Sequence, residues 1–181
     1  MIIMKNKVLE TEYIKINDIT PDCIRKYMIS EVREKTFNTL YNHLKSLSSN
    51  YPNFKEWFDY IVRPEVDLRD GRREIIIAFS KIDGNDKSII TGIAIVKKDK
   101  FEKKICAIRI NEKYRSLGIG KGLFEACFEY LGTSNPMITI AEDKVEIFEK
   151  YIKMYNFKLE EVLENYYING SNEYIYNGKL T

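Results

Sequence analysis

The sequence predicts a mixed α/β (α+β) fold: a central, mostly antiparallel sheet containing one parallel pair of strands, with helices flanking it. Three observations carry that prediction. Apolar runs along the 181 residues read strand, helices, three strands, helix, strand, helix, two strands. The fourth and fifth strands are joined through a helix and read as a parallel pair in a right-handed crossover, whereas the short turns joining the second, third and fourth strands and the last two make those neighbours antiparallel. A glycine-rich stretch, Tyr114-Arg115-Ser116-Leu117-Gly118-Ile119-Gly120-Lys121-Gly122-Leu123, falls between the fourth strand and the helix after it.

Residues 8–16 alternate enough to form the first strand. Asp18-Ile19-Thr20-Pro21 signals a helix start, with Thr20 as N-cap and Pro21 at the first helical position. Helical spacing of Ile24, Tyr27, Met28, Val32, Phe37, Leu40, Tyr41 and Leu44 runs to about Leu47, and Ser48-Ser49-Asn50-Tyr51-Pro52 ends it. Phe54, Trp57, Phe58 and Ile61 fall at i, i+3, i+4 and i+7, a second amphipathic helix that should stop before Arg63-Pro64.

Beyond residue 72 the pattern turns to strands. Residues 74–82 and 88–97 flank Asp83-Gly84-Asn85-Asp86-Lys87 as a hairpin, and 103–110 completes a three-stranded meander. Residues 118–131 form a helix closed by Gly132. A short apolar strand at 136–141 follows, then a helix from about 143 to 155. Two last strands, near 157–164 and 173–177, flank Asn169-Gly170-Ser171-Asn172. No linker composition interrupts the chain, so 1–181 reads as a single domain. Residues 1–72 supply one strand and helices, and 73–181 supply the body of the sheet.

Composition bounds the function. The chain is 44% hydrophobic and 31% charged, as in globular proteins, and its net charge of +2 lacks the electrostatic footprint of a nucleic-acid binder. Cys23, Cys106 and Cys127 are widely spaced with no C-x-x-C pair, and read as thiols of a reducing compartment. Met1-Ile2-Ile3-Met4 is too short for a signal core and no run reaches membrane-spanning length, so the expected location is cytoplasmic, with no membrane partner. His43 is the only histidine, which removes most metal sites and leaves one residue on which a nucleophile–histidine dyad could be built. No metal is expected.

A glycine turn opening a helix presents unpaired N–H groups and the positive end of a helix dipole, the environment an anionic phosphate needs. Gly118 and Gly120 would let the backbone approach the ligand with no Cβ in the way, and Arg115 and Lys121 add positive charge. Two familiar phosphate loops fail on spacing. Gly122 follows Lys121 where G-x-x-x-x-G-K-[ST] requires Ser or Thr. Leu123 stands at the third glycine of G-x-G-x-x-G, and no acidic ribose partner follows about 20 residues on.

The remaining pattern, R-x-x-G-x-G after Ile110-Asn111-Glu112-Lys113-Tyr114, resembles the acetyl-CoA pyrophosphate loop of the GNAT superfamily of N-acetyltransferases. The order of elements matches that fold too, over roughly residues 73 to 160, with a parallel fourth and fifth strand that splay apart. The resemblance implies acetyl-CoA as co-substrate, lying in that splay. The backbone of Ile108, Arg109 and Ile110 would pair with its pantetheine arm and polarise the thioester carbonyl. Backbone N–H groups of Arg115, Ser116, Leu117, Gly118, Ile119 and Gly120, with Lys121, would hold the pyrophosphate.

Direct acetyl transfer in a ternary complex then needs a positioned neutral amine, a proton acceptor, and a donor for the leaving thiolate. In the family the donor is often a tyrosine five residues before the Phe that ends the next helix. Here that count reaches Ile152 from Phe157, one residue past Tyr151, an offset of roughly 100° around the helix. Tyr151 is the candidate, with Tyr155 in reserve; packing of both against the sheet is the alternative. Asn156 replaces the usual glycine and suits a left-handed cap. The strand glutamate of many members is absent from Ile105-Cys106-Ala107-Ile108-Arg109-Ile110, so the base is unassigned. Glu142, Asp143 (equally an N-cap), Glu74 and a water relay are all open.

Tyr41, Tyr51, Trp57, Phe58 and Tyr60 could line the acceptor pocket, although helical spacing favours the core for Trp57 and Phe58. The acceptor is a small-molecule amine or a peptide or protein amine, and the chain could act as a homodimer. Two alternatives stand beside the enzyme. One is a non-catalytic acyl-CoA-binding sensor, and the other a toxin-like aminoacyl-tRNA acetyltransferase.

Overall fold

A computed structural model describes residues 7–19, 29–84 and 88–180. Thr20, Pro21, Cys23, Ile24, Tyr27 and Met28, the side chain of Val32, the first six residues and the tip of the first hairpin at 85–87 lie outside the described residues, so the helix start read there is untested.

Strand β1 (Val8–Lys15) runs without a loop into a single turn, α1 (Ile16–Ile19), and helix α2 (Ile29–Leu44) ends in a 3₁₀ turn, Lys45–Ser49. Next comes a helical stretch in three registers: α3 (Phe54–Trp57), a π-turn (Phe58–Val62) and α4 (Arg63–Asp67). The expected stop before Arg63-Pro64 is therefore corrected. Proline cannot donate to the helix ladder and its ring crowds the carbonyl one turn back. The i→i+5 spacing, in which the Arg63 N–H reaches the Phe58 carbonyl, widens the turn at that point and lets the helix continue. The extra residue also shifts the buried stripe, so Val62 and Val66 are buried and Ile61 is exposed, against the i+7 expectation.

The sheet has the order β1-β2-β3-β4-β5-β7-β6, with β2 (Arg73–Ile82), β3 (Ile89–Lys98), β4 (Lys103–Ile110), β5 (Met137–Ala141), β6 (Leu159–Glu164) and β7 (Asn172–Tyr176). Every pair is antiparallel except β4–β5, as the crossover requires. Helix α5 (Ile119–Leu131) links β4 to β5 and ends at Gly132 in the left-handed conformation. Helix α6 (Val145–Met154) follows a 3₁₀ turn, Glu142–Lys144, and Asn156 takes the left-handed cap with φ 53°.

Alternation along the strands separates two cores. Ile75, Ile77, Ile93 and Ile95 face α2 and the Phe54–Val66 stretch. Ile76, Ala94 and Val96 face α5, where Phe124 contacts Phe128, Phe148, Tyr151, Tyr155 and Phe157. Among the described residues no helix is long and apolar enough to cross a membrane.

Candidate functional site

Parallel pairing of β4 with β5 consists of Lys104 with Met137 and Ile105 with Ile138, and then the strands diverge. At the parting, β4 carries a bulge. Ala107 faces Ile95 and Ile105 faces Val96, leaving Cys106 as the extra residue. The bulge breaks the alternation, so Cys106 and Ala107 both pack toward the α2 side while Ile105 and Ile108 pack toward α5. A cleft of about 550 Å³ occupies the V and is lined from both faces of the sheet, by Cys106 and Thr139 on one and by Ile108, Ile140 and Phe148 on the other. Past Ile105 the β4 edge facing β5 has no strand partner among the described residues, so its peptide groups are available to a ligand lying in the V.

The glycine loop continues from that strand. Asn111 accepts from the Lys113 N–H at 3.1 Å and starts a 3₁₀ turn, Glu112–Tyr114, which plants Tyr114 in a small core with Ala78, Ile82 and Ile119. Ser116 and Gly118 then both take positive φ, 65° and 84°. A left-handed residue beside an ordinary one turns successive backbone N–H groups toward one side as an anion-binding concavity. Gly118 is the N-cap of α5, no side chain caps the helix, and the space a Cβ would occupy at Gly118 is open. The N–H groups of the first turn thus keep their free valences. Lys121 and Arg115 are more than 40% exposed, Arg115 reaching Glu112 at 3.4 Å, so both can turn to an anion.

Gly120 behaves differently from the expectation that it clears a path for the ligand. It is buried, and a Cβ there would meet the ring of Tyr151, with Cζ only 2.8 Å away. The hydroxyl of Tyr151 sits against this first turn, and its ring stacks on Phe124 at 4.7 Å between centroids. Tyr155 donates to the Lys121 carbonyl at 3.4 Å, and burial, with Glu125 nearby, pushes its hydroxyl up to about 12. Both tyrosines therefore stand between α5 and α6 beside the loop. The α6 residue lining the cleft is Phe148.

Of the five aromatics read as pocket candidates, Tyr51 and Trp57 line the cleft, Phe58 and Tyr41 belong to the core, and Tyr60 is exposed to solvent. Tyr51 donates to Glu173 Oε1 at 3.0 Å, and the Thr139 hydroxyl hydrogen-bonds in the same group. Burial pushes Glu173 above the ordinary carboxylate range, the hydrogen bonds from Tyr51 and Thr139 opposing it, and burial beside Glu173 pushes Tyr51 far up.

The carboxylates weighed as a base from the sequence are engaged elsewhere. Glu74 is buried, accepts from the Ile75 N–H and Asn17 Nδ2, and does not line the cleft. Glu142 accepts from the backbone and side chain of Asn172. Asp143 does not cap α6, which corrects that expectation; it accepts from Asn50 Nδ2 at 2.7 Å and so ties the end of the early helices to β5. Arg109 donates to the His43 carbonyl at 2.6 Å near the end of α2, where a cation suits the helix dipole. His43 itself is half-buried, and burial and Arg109 lower its pKa. Among the described residues no three His, Cys, Asp or Glu side chains gather into a metal site.

No protein-family model matches the sequence, and no curated protein matches it. Solved structures do match in shape. A GNAT-family protein from Desulfovibrio desulfuricans superposes with a TM-score of 0.61 over 92% of this chain and 97% of its own, at 13% identity. The chain has the GNAT fold. A protein from Pyrococcus horikoshii gives a TM-score of 0.55 over 94% of this chain and 100% of its own, at 16% identity. A nourseothricin acetyltransferase gives 0.51 over 59% of this chain and 65% of its own, also at 16% identity.

The splay and the β4 bulge share the cleft, and the glycine loop follows along the chain from the end of β4. Sequence reasoning locates the loop and the splay, and it misses Glu173, Thr139 and the bulge at Cys106. An acidic residue leading the otherwise apolar Tyr174-Ile175-Tyr176 strand is the available signal for Glu173.

Proposed function

We propose that the chain is an acetyl-CoA-dependent N-acetyltransferase that moves an acetyl group directly to a primary amine. The observation that carries the reading is the cleft in the V with its unpaired β4 edge, on the strand that leads directly along the chain to the uncapped helix start at Gly118. The loop N–H groups, with Arg115 and Lys121, hold the pyrophosphate. The β4 peptide groups from Cys106 to Ile110 pair with the pantetheine arm and stabilise the developing oxyanion. The amine approaches from the Tyr51 side, its lone pair adds to the thioester carbon, and the C–S bond breaks. Tyr151 protonates the leaving thiolate in this reading, supported by its place beside the loop, where Tyr155 is already committed to the Lys121 carbonyl.

Thiol release from acetyl-CoA with a panel of primary amines tests the activity, and calorimetry with CoA tests the loop. Gly118→Asp is the discriminating variant, because Asp tolerates positive φ, nothing stands within 4 Å of the new Cβ, and its charge repels phosphate. It should keep a cooperative thermal transition and lose CoA binding. Unchanged CoA affinity would remove the loop from the site. Tyr151→Phe should lower kcat roughly tenfold or more with acetyl-CoA affinity intact; wild-type turnover would take Tyr151 out of the mechanism.

A non-catalytic acyl-CoA-binding role is the second reading, favoured by one observation: neither α6 tyrosine lines the cleft. CoA binding without thiol release on any amine would decide for it.

A further inference from the structure

We propose that Tyr51 and Glu173 form the proton-accepting end of the acceptor pocket, Tyr51 as the catalytic hydroxyl that touches the amine and Glu173 as the positioning carboxylate that receives the proton through it. This rests on the acetyltransferase reading above and assigns the step for which no strand glutamate is present.

Placement comes first. Thr139 is the residue immediately after the last β4–β5 pair, Ile105 with Ile138, so it marks the apex of the V, opposite the Cys106 bulge. Register places Glu173 across from Ala141 and Ile175 across from Thr139, which puts the side chains of these four residues on one face of the sheet. Tyr51, from the turn that follows the early helices, comes down on that face. It lines the cleft, and its hydroxyl donates to Glu173 at 3.0 Å. Glu173 is 3% exposed and does not line the cleft. A proton leaving the cleft reaches that carboxylate through the Tyr51 hydroxyl.

Chemistry comes second. A buried carboxylate is costly unless hydrogen-bonded and paired with a cation. Glu173 has its hydrogen bonds, from Tyr51 and Thr139, yet no cation lies within ion-pair distance among the described residues. Lys104 on β4 acts on it only through space, Asp143 in the turn before α6 repels it, Tyr167 lies beside Tyr51, and Glu142 is engaged by neighbouring Asn172. An incoming ammonium would supply the missing charge. Lys97, Lys104 and Lys144 also line this cleft and Trp57 already carries the Arg73 guanidinium over its ring, so the aromatic face left for the ammonium is Tyr51, against which Tyr167 packs edge-on at 4.9 Å.

The step balances without a further reactant. The ammonium gives one proton to Tyr51 Oη while the Tyr51 Hη passes to Glu173 Oε1, so the tyrosine never becomes a phenolate. The freed nitrogen lone pair forms the C–N bond, the C–S bond breaks with its pair on sulfur, Tyr151 gives its hydroxyl proton to the thiolate, and the second nitrogen proton restores Tyr151. Glu173 returns its proton to solvent before the next turnover.

The test is the pH profile of kcat/KM for the best primary amine of the panel, with wild type, Glu173→Gln and Tyr51→Phe, beside CoA calorimetry and thermal unfolding of each. In wild type the rising limb should follow a carboxylic acid titrating above its ordinary range. In both variants it should move up to the pKa of the free amine, with kcat/KM near neutrality down roughly a hundredfold and CoA affinity unchanged. Glu173→Gln keeps the shape of the side chain, and Tyr51→Phe keeps the ring packing, so one variant remains readable if the other unfolds. Superimposable profiles in wild type and either folded variant overturn this assignment while leaving the acetyltransferase reading in place. Wild type that binds CoA and acetylates no amine overturns both.

Discussion

The two ends of the proposed site are built from different material. The proposed donor end consists of backbone: an unpaired strand edge, two residues at positive φ and the uncapped start of α5, all between residues 103 and 131. The acceptor end consists of side chains, and the hydrogen bond at its centre joins residues 122 apart in sequence. A backbone site is specified by conformation, so it tolerates side-chain change wherever glycine is not required. A side-chain site is specified by identity, and its residues have no reason to be close in the chain. One fold can therefore keep its donor chemistry fixed while its acceptor chemistry varies.

The largest effect that separates the two ends should come from Phe124. It is fully buried and contacts five aromatic rings of α5, α6 and the residue leading into β6, so it fixes the two helices that frame the loop. Phe124→Ala should cost about 3–5 kcal/mol, measured by denaturant unfolding, and should weaken CoA binding in whatever fraction stays folded. Tyr51→Phe, at the other end, removes one hydrogen bond and should cost about 1 kcal/mol with CoA binding intact. Equal losses of CoA affinity in the two variants would break the distinction between the ends.

A sharper probe lies inside the donor end. Gly118 and Gly120 look equivalent in the motif, yet of the two only Gly118 has an open Cβ position. Gly120→Ala should cost about 1–3 kcal/mol by overpacking, because its methyl must displace a Tyr151 ring already stacked on Phe124. Removing the ring should relieve that cost, so Gly120→Ala and Tyr151→Ala should be strongly non-additive in a double-mutant cycle. Additive costs would show that Tyr151 leaves the turn freely.

That pair of glycines shows how far the sequence can be read. The strand–loop–helix order and the positive-φ cap are local, so spacing alone locates the loop, the parallel crossover and the end of α5 at Gly132. Which glycine faces the ligand depends on a tyrosine on another helix and is illegible in the motif. Arg63-Pro64 reads as a stop because proline is incompatible with α register, and the π-turn that accommodates it carries no sequence signature of its own. The bulge at Cys106 arises from a count of pairs across β3 and β4, which one strand's sequence does not contain. Tyr51, Thr139 and Glu173 are ordinary residues in their local segments and acquire meaning only when three distant elements meet.

The smallest expected effect concerns pH, and its sign carries the information. Burial pushes Glu173 and Glu74 above the ordinary carboxylate range, so each holds its proton more tightly folded than unfolded. Their contribution to stability is complete below the unfolded value of about 4.3 and is lost as pH rises through the folded value. Asp59 runs the other way: its slight burial is outweighed by Lys55 and Arg63, which hold it low, so its contribution is lost as pH falls through its folded value. Above about 4.3 the two glutamates make stability fall as pH rises while His43, held low by burial and Arg109, opposes them, so the test is the difference: Glu173→Gln should decline less than wild type. Gly118→Asp leaves Glu173 and Glu74 untouched, so it should follow the wild-type slope. Parallel curves for wild type and Glu173→Gln would assign the decline to Glu74, which lies outside the cleft, and would leave the acceptor end without its titrating group.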